Sequence, residues 1–345
     1  MSILQMLFIL LLVLSSLIER NYGLTSVEKA VVNSSDYRLP GDLMPFAYNL
    51  TIVPNFENFT FSGHVDILFT VKKSTSDIML NQQNLSIRLS DVSLKLLYHD
   101  PPLKILNISL DENLQRLHIL SDPSLRANLD YSIGISFNGY LQDNMLGFYK
   151  TSYEENNIQK WIAVTQFEST YARQAFPCFD EPAYRAVFNL NIGRDADQIS
   201  LANMRIINTT LPMPEWGNKV IDIYEPSPTM PTYLVAFSVN QFSNLTSNND
   251  TFRIFMRPEV KSQGAYLQSI GRTVLDTIGN FLNISYALPK MDVLSVPDLD
   301  FGAMENWGLA TFRERFVLYD SNINSESDKQ ILMALMAHEF GHQWF

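Results

Sequence analysis

Cysteine is nearly absent from the sequence, which has Cys178 as its one cysteine in 345 residues. A single cysteine excludes an internal disulfide framework. Because Cys178 lies between Pro177 and Phe179, we expect a buried free thiol, and an intermolecular disulfide is the alternative. Basic residues are also few, with 25 Lys and Arg against 36 Asp and Glu. A net charge of −11 without a basic cluster argues against nucleic-acid binding, which needs a positive surface.

Long apolar runs are lacking except at the amino end, where residues 3–14 are almost all aliphatic. A run of this length is typical of a signal-peptide core and shorter than the roughly 20 residues of a membrane-spanning helix. We therefore predict a signal peptide over residues 1–23, with an uncleaved membrane anchor as the alternative. Residues 24–35 are polar and unpatterned, which predicts a linker. The sequence contains no internal repeat and no low-complexity tract.

Glycosylation signals of the form Asn-x-Ser/Thr are frequent. They occur at Asn33, Asn49, Asn58, Asn84, Asn107, Asn208, Asn244, Asn249 and Asn283. Together with the apolar leader they favour a secreted or cell-surface glycoprotein, against the reducing compartment that one cysteine would suggest. The sequence leaves open membrane association, through the amino end or through a carboxy-terminal anchor.

Alternating apolar and polar residues dominate the first two thirds of the chain. This period of two predicts half-buried strands. The clearest apolar sets are Phe46-Tyr48-Leu50-Ile52, Val65-Ile67-Phe69-Val71, Val92-Leu94-Leu96, Tyr131-Ile133-Ile135-Phe137, Phe188-Leu190-Ile192 and Tyr233-Val235-Phe237-Val239. Turn residues such as Asn138-Gly139 separate the runs. The pattern predicts an antiparallel β domain over residues 36–247.

The pattern changes to a helical period beyond residue 248. Apolar residues follow Pro258 at helical spacing: Leu267, Ile270, Val274, Ile278 and Phe281. A short strand is predicted at Val293–Val296. Ser327 and Gln330 have the spacing of a capping box that opens a last helix. Ile331 and Leu335 continue the face of His338 and His342, which predicts that this face packs against the rest of the domain.

His338-Glu339-Phe340-Gly341-His342 ends the last predicted helix. Histidines four residues apart lie on one face, so both imidazoles can reach one Zn²⁺ ion. Glu339 lies beside this line, where it can take a proton from a zinc-bound water. Catalytic zinc sites use three protein ligands and a water, and the pair supplies two of the three.

Three segments of the chain form a further pattern. They are Gln166-Phe167-Glu168 running into Arg173-Gln174-Ala175-Phe176-Pro177-Cys178-Phe179-Asp180-Glu181-Pro182, then Gly302-Ala303-Met304-Glu305-Asn306, and then His338-Glu339-x-x-His342-x-Trp344. In their order and spacing these segments resemble the aminopeptidase N (membrane alanyl aminopeptidase) family of gluzincin metallopeptidases. The resemblance extends from about residue 37 to the end. It implies an α+β multidomain fold. An antiparallel β-sandwich-like domain would be followed, from residue 248 to 345, by the first part of a thermolysin-like domain.

The resemblance also implies roles for individual residues. His338 and His342 would bind one zinc ion, and Glu339 would be the general base. Glu305 would bind the α-amino group of a peptide, and Gly302, Ala303, Met304 and Asn306 would form the edge along which the substrate lies. Glu168 would be a second amine-binding carboxylate, and Gln166 would line the pocket for the first side chain.

In this family the third zinc ligand is a Glu nineteen positions after the second histidine, and a later Tyr stabilises the intermediate. The 345 residues contain neither, so we expect a chain that resembles an incomplete catalytic domain and is inactive by itself. The leading hypothesis is a zinc aminopeptidase that acts on extracellular peptides with a free amino terminus. A non-catalytic binding protein on the same scaffold is the alternative. Glu305 disfavours an endopeptidase, and the leader disfavours the epoxide-opening branch of the family.

Overall fold

The computed structural model describes residues 37–97, 101–247 and 250–345. The predicted signal peptide and linker and the glycosylation signals at Asn33 and Asn249 lie outside the described residues. Within these ranges, no helix combines the length and the apolar character that a membrane crossing requires.

The described residues form twenty strands, three α-helices and several short 3-10 turns. The strands are β1 Leu43–Asn55, β2 Thr60–Val71, β3 Thr75–Asn81, β4 Val92–Leu96, β5 Lys104–Asp111, β6 Arg116–Leu125, β7 Asp130–Tyr140, β8 Gly147–Glu155, β9 Ile158–Gln166, β10 Arg185–Arg194, β11 Ile199–Ala202, β12 Ile206–Thr209, β13 Val220–Tyr224, β14 Met230–Pro231, β15 Phe237–Asn240, β16 Ser243–Thr246, β17 Phe252–Met256, β18 Met291–Val296, β19 Ala303–Met304 and β20 Leu309–Arg313. The helices are α1 Ala265–Leu282, α2 Glu314–Val317 and α3 Glu326–Gly341.

Strands β1 to β15 build three sheets that share one apolar core. The largest has the order β12-β13-β10-β1-β2-β7-β4, with β14 added beside β10. The second has the order β11-β15-β9-β8, and the third β3-β6-β5. The predicted β domain is confirmed. One pairing departs from the antiparallel pattern, because β1 and β10 run parallel, with Ala47 opposite Val187 and Ile52 opposite Ile192.

Three details of the predicted strand pattern are wrong. A β-bulge between Pro45 and Ala47 shifts the register of β1, so Phe46 faces solvent while Tyr48 is buried. Gly139 makes no turn, because it lies inside β7 and pairs with Phe61 of β2, whose ring occupies the space that a Cβ would need. Tyr233 belongs to a 3-10 turn, Thr232–Leu234, and the strand begins only at Phe237.

The second part of the chain is a five-stranded sheet of order β16-β17-β18-β20-β19, covered by α1 and α3. Strands β17, β18 and β20 are parallel neighbours. The predicted strand at Val293–Val296 is confirmed as part of β18. The predicted division at residue 247/248 falls between β16 and β17, which pair with each other, and the division into domains stays a prediction.

Both predicted helices exist, and the prediction of their buried faces is right in part. On α1, Leu267 is buried and Ile270, Val274 and Ile278 pack against the core, whereas Phe281 is exposed. On α3, Leu335 packs against the same core. Helix α3 buries Leu332, Met336, Glu339 and Phe340, and Ile331 is 47% exposed. The capping box is formed by Ser325 and Asp328, two residues before the predicted one, because the Asp328 carboxylate accepts hydrogen bonds from the Ser325 backbone at 2.7 Å and from its hydroxyl at 2.9 Å.

A buried ion cluster joins the two parts. Lys290 Nζ donates to the carbonyl oxygens of Ala202, at the end of β11, at 2.6 Å and of Gly308 at 2.7 Å. It also lies 2.8 Å from the Asp292 carboxylate, which Arg253 holds with two hydrogen bonds of 2.7 Å. Lys290 and Asp292 are buried, and the Arg253 side chain is 24% exposed.

Burial lowers the pKa of Lys290 to about 8, and the Asp292 carboxylate opposes this shift. The unfolded chain therefore holds this proton up to a higher pH than the folded chain does. Stability contributed by Lys290 is expected to rise from pH 7 to pH 10, by about 3 kcal/mol relative to Lys290→Met. Urea unfolding at several pH values measures the difference.

The exposed Lys95 supplies the control for this comparison. The difference in free energy of unfolding between the natural chain and Lys95→Met should stay constant over the same pH range. A constant difference for Lys290→Met as well would contradict the prediction.

Candidate active site

Helix α3 brings His338 and His342 together at its carboxyl end. Both are half-buried, and their Nε2 atoms lie 3.1 Å apart. Burial lowers the pKa of His338, and the neighbouring His342 lowers it further. A lowered pKa favours the neutral imidazole of His338, which is the form that binds a metal ion.

The spacing of the two nitrogens agrees with a shared zinc ion. Two nitrogens at 2.0–2.1 Å from a tetrahedral zinc ion are about 3.3 Å apart. Within the described residues, no group of three or more His, Cys, Asp or Glu side chains is arranged to hold a metal. The donor set in the structure is therefore the histidine pair.

Glu339 is the buried carboxylate of the site, with 4% of its surface exposed. Burial raises its pKa well above the usual value, and the charges of Glu305 and Glu168 raise it further. Glu339 lies on the buried face of α3, one residue after His338 and three residues before His342. A carboxyl group that holds a proton readily is suited to proton transfer.

Glu305 follows β19, which forms the edge of the five-stranded sheet. Ala303 and Met304 pair with Phe312 and Thr311 of β20. On the other side of β19 the described strands offer no further partner. Met304 and the next-but-one residue, Asn306, are buried. Such an edge can accept a peptide as an added strand.

Three side chains fix the backbone from residue 305 to 308. Gln343 donates to the Glu305 carbonyl at 3.1 Å and to the Glu339 carbonyl at 3.4 Å. The same carboxamide accepts the Gly308 amide at 3.1 Å. Asn203 donates to the carbonyl of residue 307 at 2.9 Å, and Lys290 holds that of Gly308. Gln343 thus links the Glu305 segment directly to the helix of the histidines.

Gly308 is required at its position for two reasons. Its φ angle of +82° is a conformation that L-residues with side chains rarely adopt, and the carbonyl of Asn203 lies 2.4 Å from the place of an added Cβ. Gly302 is partly exposed, and its carbonyl accepts the Arg313 amide at 3.0 Å.

Glu168 reaches the same space from the β domain, two residues after the end of β9. It is exposed. Partial desolvation raises its pKa, Glu305 raises it further, and His342 opposes the shift. Gln166 is fully buried, and among the described residues neither its Nε2 nor its Oε1 has a hydrogen-bond partner. A ligand in the cleft could satisfy these two atoms.

Tyr233 belongs to this group, although the sequence pattern assigned it to a strand. Burial raises its pKa, the Glu305 and Glu168 charges raise it further, and Arg185 opposes the shift. Its side chain therefore lies close enough to both carboxylates for their negative charges to disfavour its ionisation. No local motif marks Tyr233, because its position depends on the fold between β14 and β15.

Two aromatic residues end the described chain. Trp344 packs against Tyr286, with ring centroids 5.8 Å apart, and donates from Nε1 to the Ile284 carbonyl at 3.0 Å. Phe345 is 84% exposed.

Cys178 is a buried free cysteine, as predicted.

Two family models match the chain. The peptidase M1 N-terminal domain matches residues 44–234, and the peptidase family M1 domain matches residues 266–345. Among curated proteins, aminopeptidase N of Canis lupus familiaris is 36% identical over 322 residues, which are 90% of this chain and 33% of the relative. Puromycin-sensitive aminopeptidase of Caenorhabditis elegans is 36% identical over 312 residues, 89% of this chain and 32% of the relative. Endoplasmic reticulum aminopeptidase 2 of Bos taurus is 36% identical over 316 residues, with 90% and 33% covered. The chain thus spans about a third of the length of these relatives.

Proposed function

The chain belongs to the peptidase M1 family, and on this basis we propose that it carries part of the active site of a zinc-dependent aminopeptidase. The observation that supports this most strongly is the convergence of three carboxylates on the histidine pair. The charge of Glu305 raises the pKa of both Glu168 and Glu339, and the charge of Glu168 raises the pKa of Glu339 further. Glu305 comes from the loop after β19, Glu168 from the β domain and Glu339 from helix α3.

His338 and His342 would hold the zinc ion, because their Nε2 atoms have the spacing that a shared zinc ion needs. A zinc ion there would lower the pKa of a bound water to near 7. Within the part of the chain that the structure describes, this pair is two of the three protein ligands that such a site uses. We therefore propose that this polypeptide by itself is inactive, and hydrolysis of an aminoacyl reporter by it would contradict this.

Glu339 would accept a proton from the attacking water at its carboxylate and later donate it to the leaving amine. Its burial on the inner face of α3 keeps the carboxylate out of bulk water. Glu305 and Glu168 would bind the α-ammonium group of the substrate. Because Gln343 holds the backbone carbonyls of both Glu305 and Glu339, the distance from amine to reaction centre would be fixed. A peptide with a free amino terminus would lie along β19.

We also propose that the protein acts outside the cell. The apolar leader and the sequons support this. Of the seven sequons within the described residues, Asn58, Asn84, Asn107, Asn208, Asn244 and Asn283 are exposed. Asn49 is half-buried and accepts a hydrogen bond from Asn189 at 2.8 Å.

The experiment that tests the aminopeptidase proposal replaces Glu305 by Gln in the longest native polypeptide that contains residues 1–345. The isosteric change removes the charge that would bind the α-ammonium group. We expect kcat/KM for a free-amine aminoacyl substrate to fall by about a hundredfold, since a charged hydrogen bond is worth about 1.5–3 kcal/mol or more when desolvated.

Glu326→Gln, at the exposed start of α3, is the matched control and should leave kcat/KM unchanged. A Glu305→Gln enzyme that keeps its preference for free over acetylated amino termini would overturn the amine-binding role. A native protein without zinc-dependent hydrolysis would instead favour a binding role on this scaffold.

A further inference from the structure

Two sheets of the β domain end in outer strands that carry exposed aliphatic residues. Among the described strands, β5 is outermost in the order β3-β6-β5 and β12 is outermost in the large sheet. A bridge between Leu103, just before β5, and Leu94 of β4 lies beside the start of β5. On β5, Leu106 is 49% exposed, and on β12, Ile207 is 58% exposed. An outer strand with unpaired backbone groups and apolar side chains is prone to pair with strands of other molecules.

The usual protection of such strands by charge is missing here. Lys104 and Asp111 lie at the two ends of β5, and its six inner residues carry no charge. Strand β12 reads Ile-Ile-Asn-Thr and has no charged residue. Neither strand contains a proline. Charge and proline inside the strands therefore do not protect them, which leaves the β-bulges, the short length of β12 and any group attached to the strands.

Each of these strands has a β-bulge followed directly by a glycosylation signal. On β5 the register shifts between Ile105 and Asn107, and on β12 it shifts between Ile206 and Asn208. As a result, Leu106 with Asn107, and Ile207 with Asn208, are consecutive exposed residues. Both asparagines begin an Asn-x-Ser/Thr signal. An attached glycan would lie beside the open backbone edge.

We infer that N-linked glycans at Asn107 and Asn208 cover the outer strands β5 and β12 and prevent these strands from pairing with other molecules. The inference rests on the proposed extracellular location, which exposes the chain to glycosylation. It adds a role that is separate from catalysis. A bulky, strongly hydrated group at the strand keeps a second strand from approaching.

Strand β16 is a third outer strand with a glycosylation signal, and it differs from β5 and β12 in how its open side is covered. It is also outermost in its sheet and carries a signal at the exposed Asn244. Its open side is already covered in part, because the Gln268 side chain on α1 donates to the Thr246 carbonyl at 2.8 Å. A glycan at Asn244 is therefore expected to contribute little to this protection.

The test uses the native secreted polypeptide that contains residues 1–345 and its Asn107→Gln/Asn208→Gln variant. Glycopeptide mass spectrometry reports occupancy, and light scattering with sedimentation reports self-association. We expect both sites to be occupied and the double variant to show an aggregated fraction about threefold larger or more. Its unfolding temperature should stay unchanged, because neither side chain is part of the core.

Two further variants test whether the effect depends on these two strands and whether a charge can replace the glycan. Asn244→Gln loses one glycan from an outer strand and should aggregate no more than the natural protein. Asn107→Lys/Asn208→Lys also lacks both glycans but places a charge on each strand, and it should restore the soluble fraction.

Three outcomes would overturn the inference. Bare Asn107 and Asn208 in a protein glycosylated elsewhere would refute it and leave the extracellular location intact. Equal aggregation of the double variant and of Asn244→Gln would refute the protective role. Absence of glycans at every signal would refute both this inference and the proposed location, while the peptidase assays would be unaffected.

Discussion

Replacing Glu339 by Gln is expected to lower kcat about a thousandfold in the longest native polypeptide that contains residues 1–345. The carboxamide has the size of the carboxyl group but cannot accept the proton of the attacking water. The site has no substitute, because Glu305 and Glu168 are committed to the substrate amine in the proposed mechanism. Steady-state kinetics with an aminoacyl reporter measures the loss.

Two observations separate this chemical role from a structural one. The zinc content of Glu339→Gln and its KM should stay close to the natural values, because His338, His342 and Glu305 are retained. Glu326→Gln on the same helix should keep full kcat. If Glu339→Gln retained a tenth or more of the natural kcat, Glu339 would not be the general base.

Asp180→Leu is expected to destabilise the fold by about 3–5 kcal/mol, because it leaves a buried cation without its partner. Asp180 is fully buried and accepts hydrogen bonds from the backbone and Nε of Arg173 at 3.2 and 2.9 Å. Burial raises the pKa of Asp180, and Arg173 opposes that shift. Arg173 also donates to Gln115 of the neighbouring hairpin at 3.0 Å. Urea unfolding measures the change.

The double variant Arg173→Met/Asp180→Leu should recover part of this loss, because no unpaired charge remains. Asp276→Leu, which breaks an exposed pair with Arg272 on α1, should cost less than about 1 kcal/mol. An effect of Asp180→Leu no larger than that of Asp276→Leu would contradict the prediction.

The sequence predicted the elements of this protein better than their orientation. Alternation marked strands such as β2 and β7 because one face of each is buried. It failed at Phe46, where a single extra residue in β1 reverses the faces. Helical spacing also predicted the wrong face for α3. The prediction placed the two histidines on the packed face, whereas the helix buries Glu339. Periodicity reports which residues share a face, and packing decides which face is covered.

In the candidate site, too, the sequence predicted some residues and missed others. His338, Glu339, His342 and Glu305 are recognisable because they belong to short motifs with fixed spacing, and the structure brings them together. Their roles stay predictions. Tyr233 and the bridging contacts of Gln343 and Lys290 come from segments far apart in the chain. Their position depends on how strands and loops meet, which no local pattern contains.

The parallel pairing of β1 with β10 has a consequence for biosynthesis. The partners Ala47 and Val187 are separated by 140 positions in the chain. At roughly 5–20 residues per second, a ribosome needs on the order of 10 s to make the intervening segment. Throughout that interval the β1–β2 hairpin has one side without its native neighbour. A nascent chain that ends before Arg185 therefore lacks the central strand pairing, and the smallest segment able to complete the large sheet must extend beyond β13.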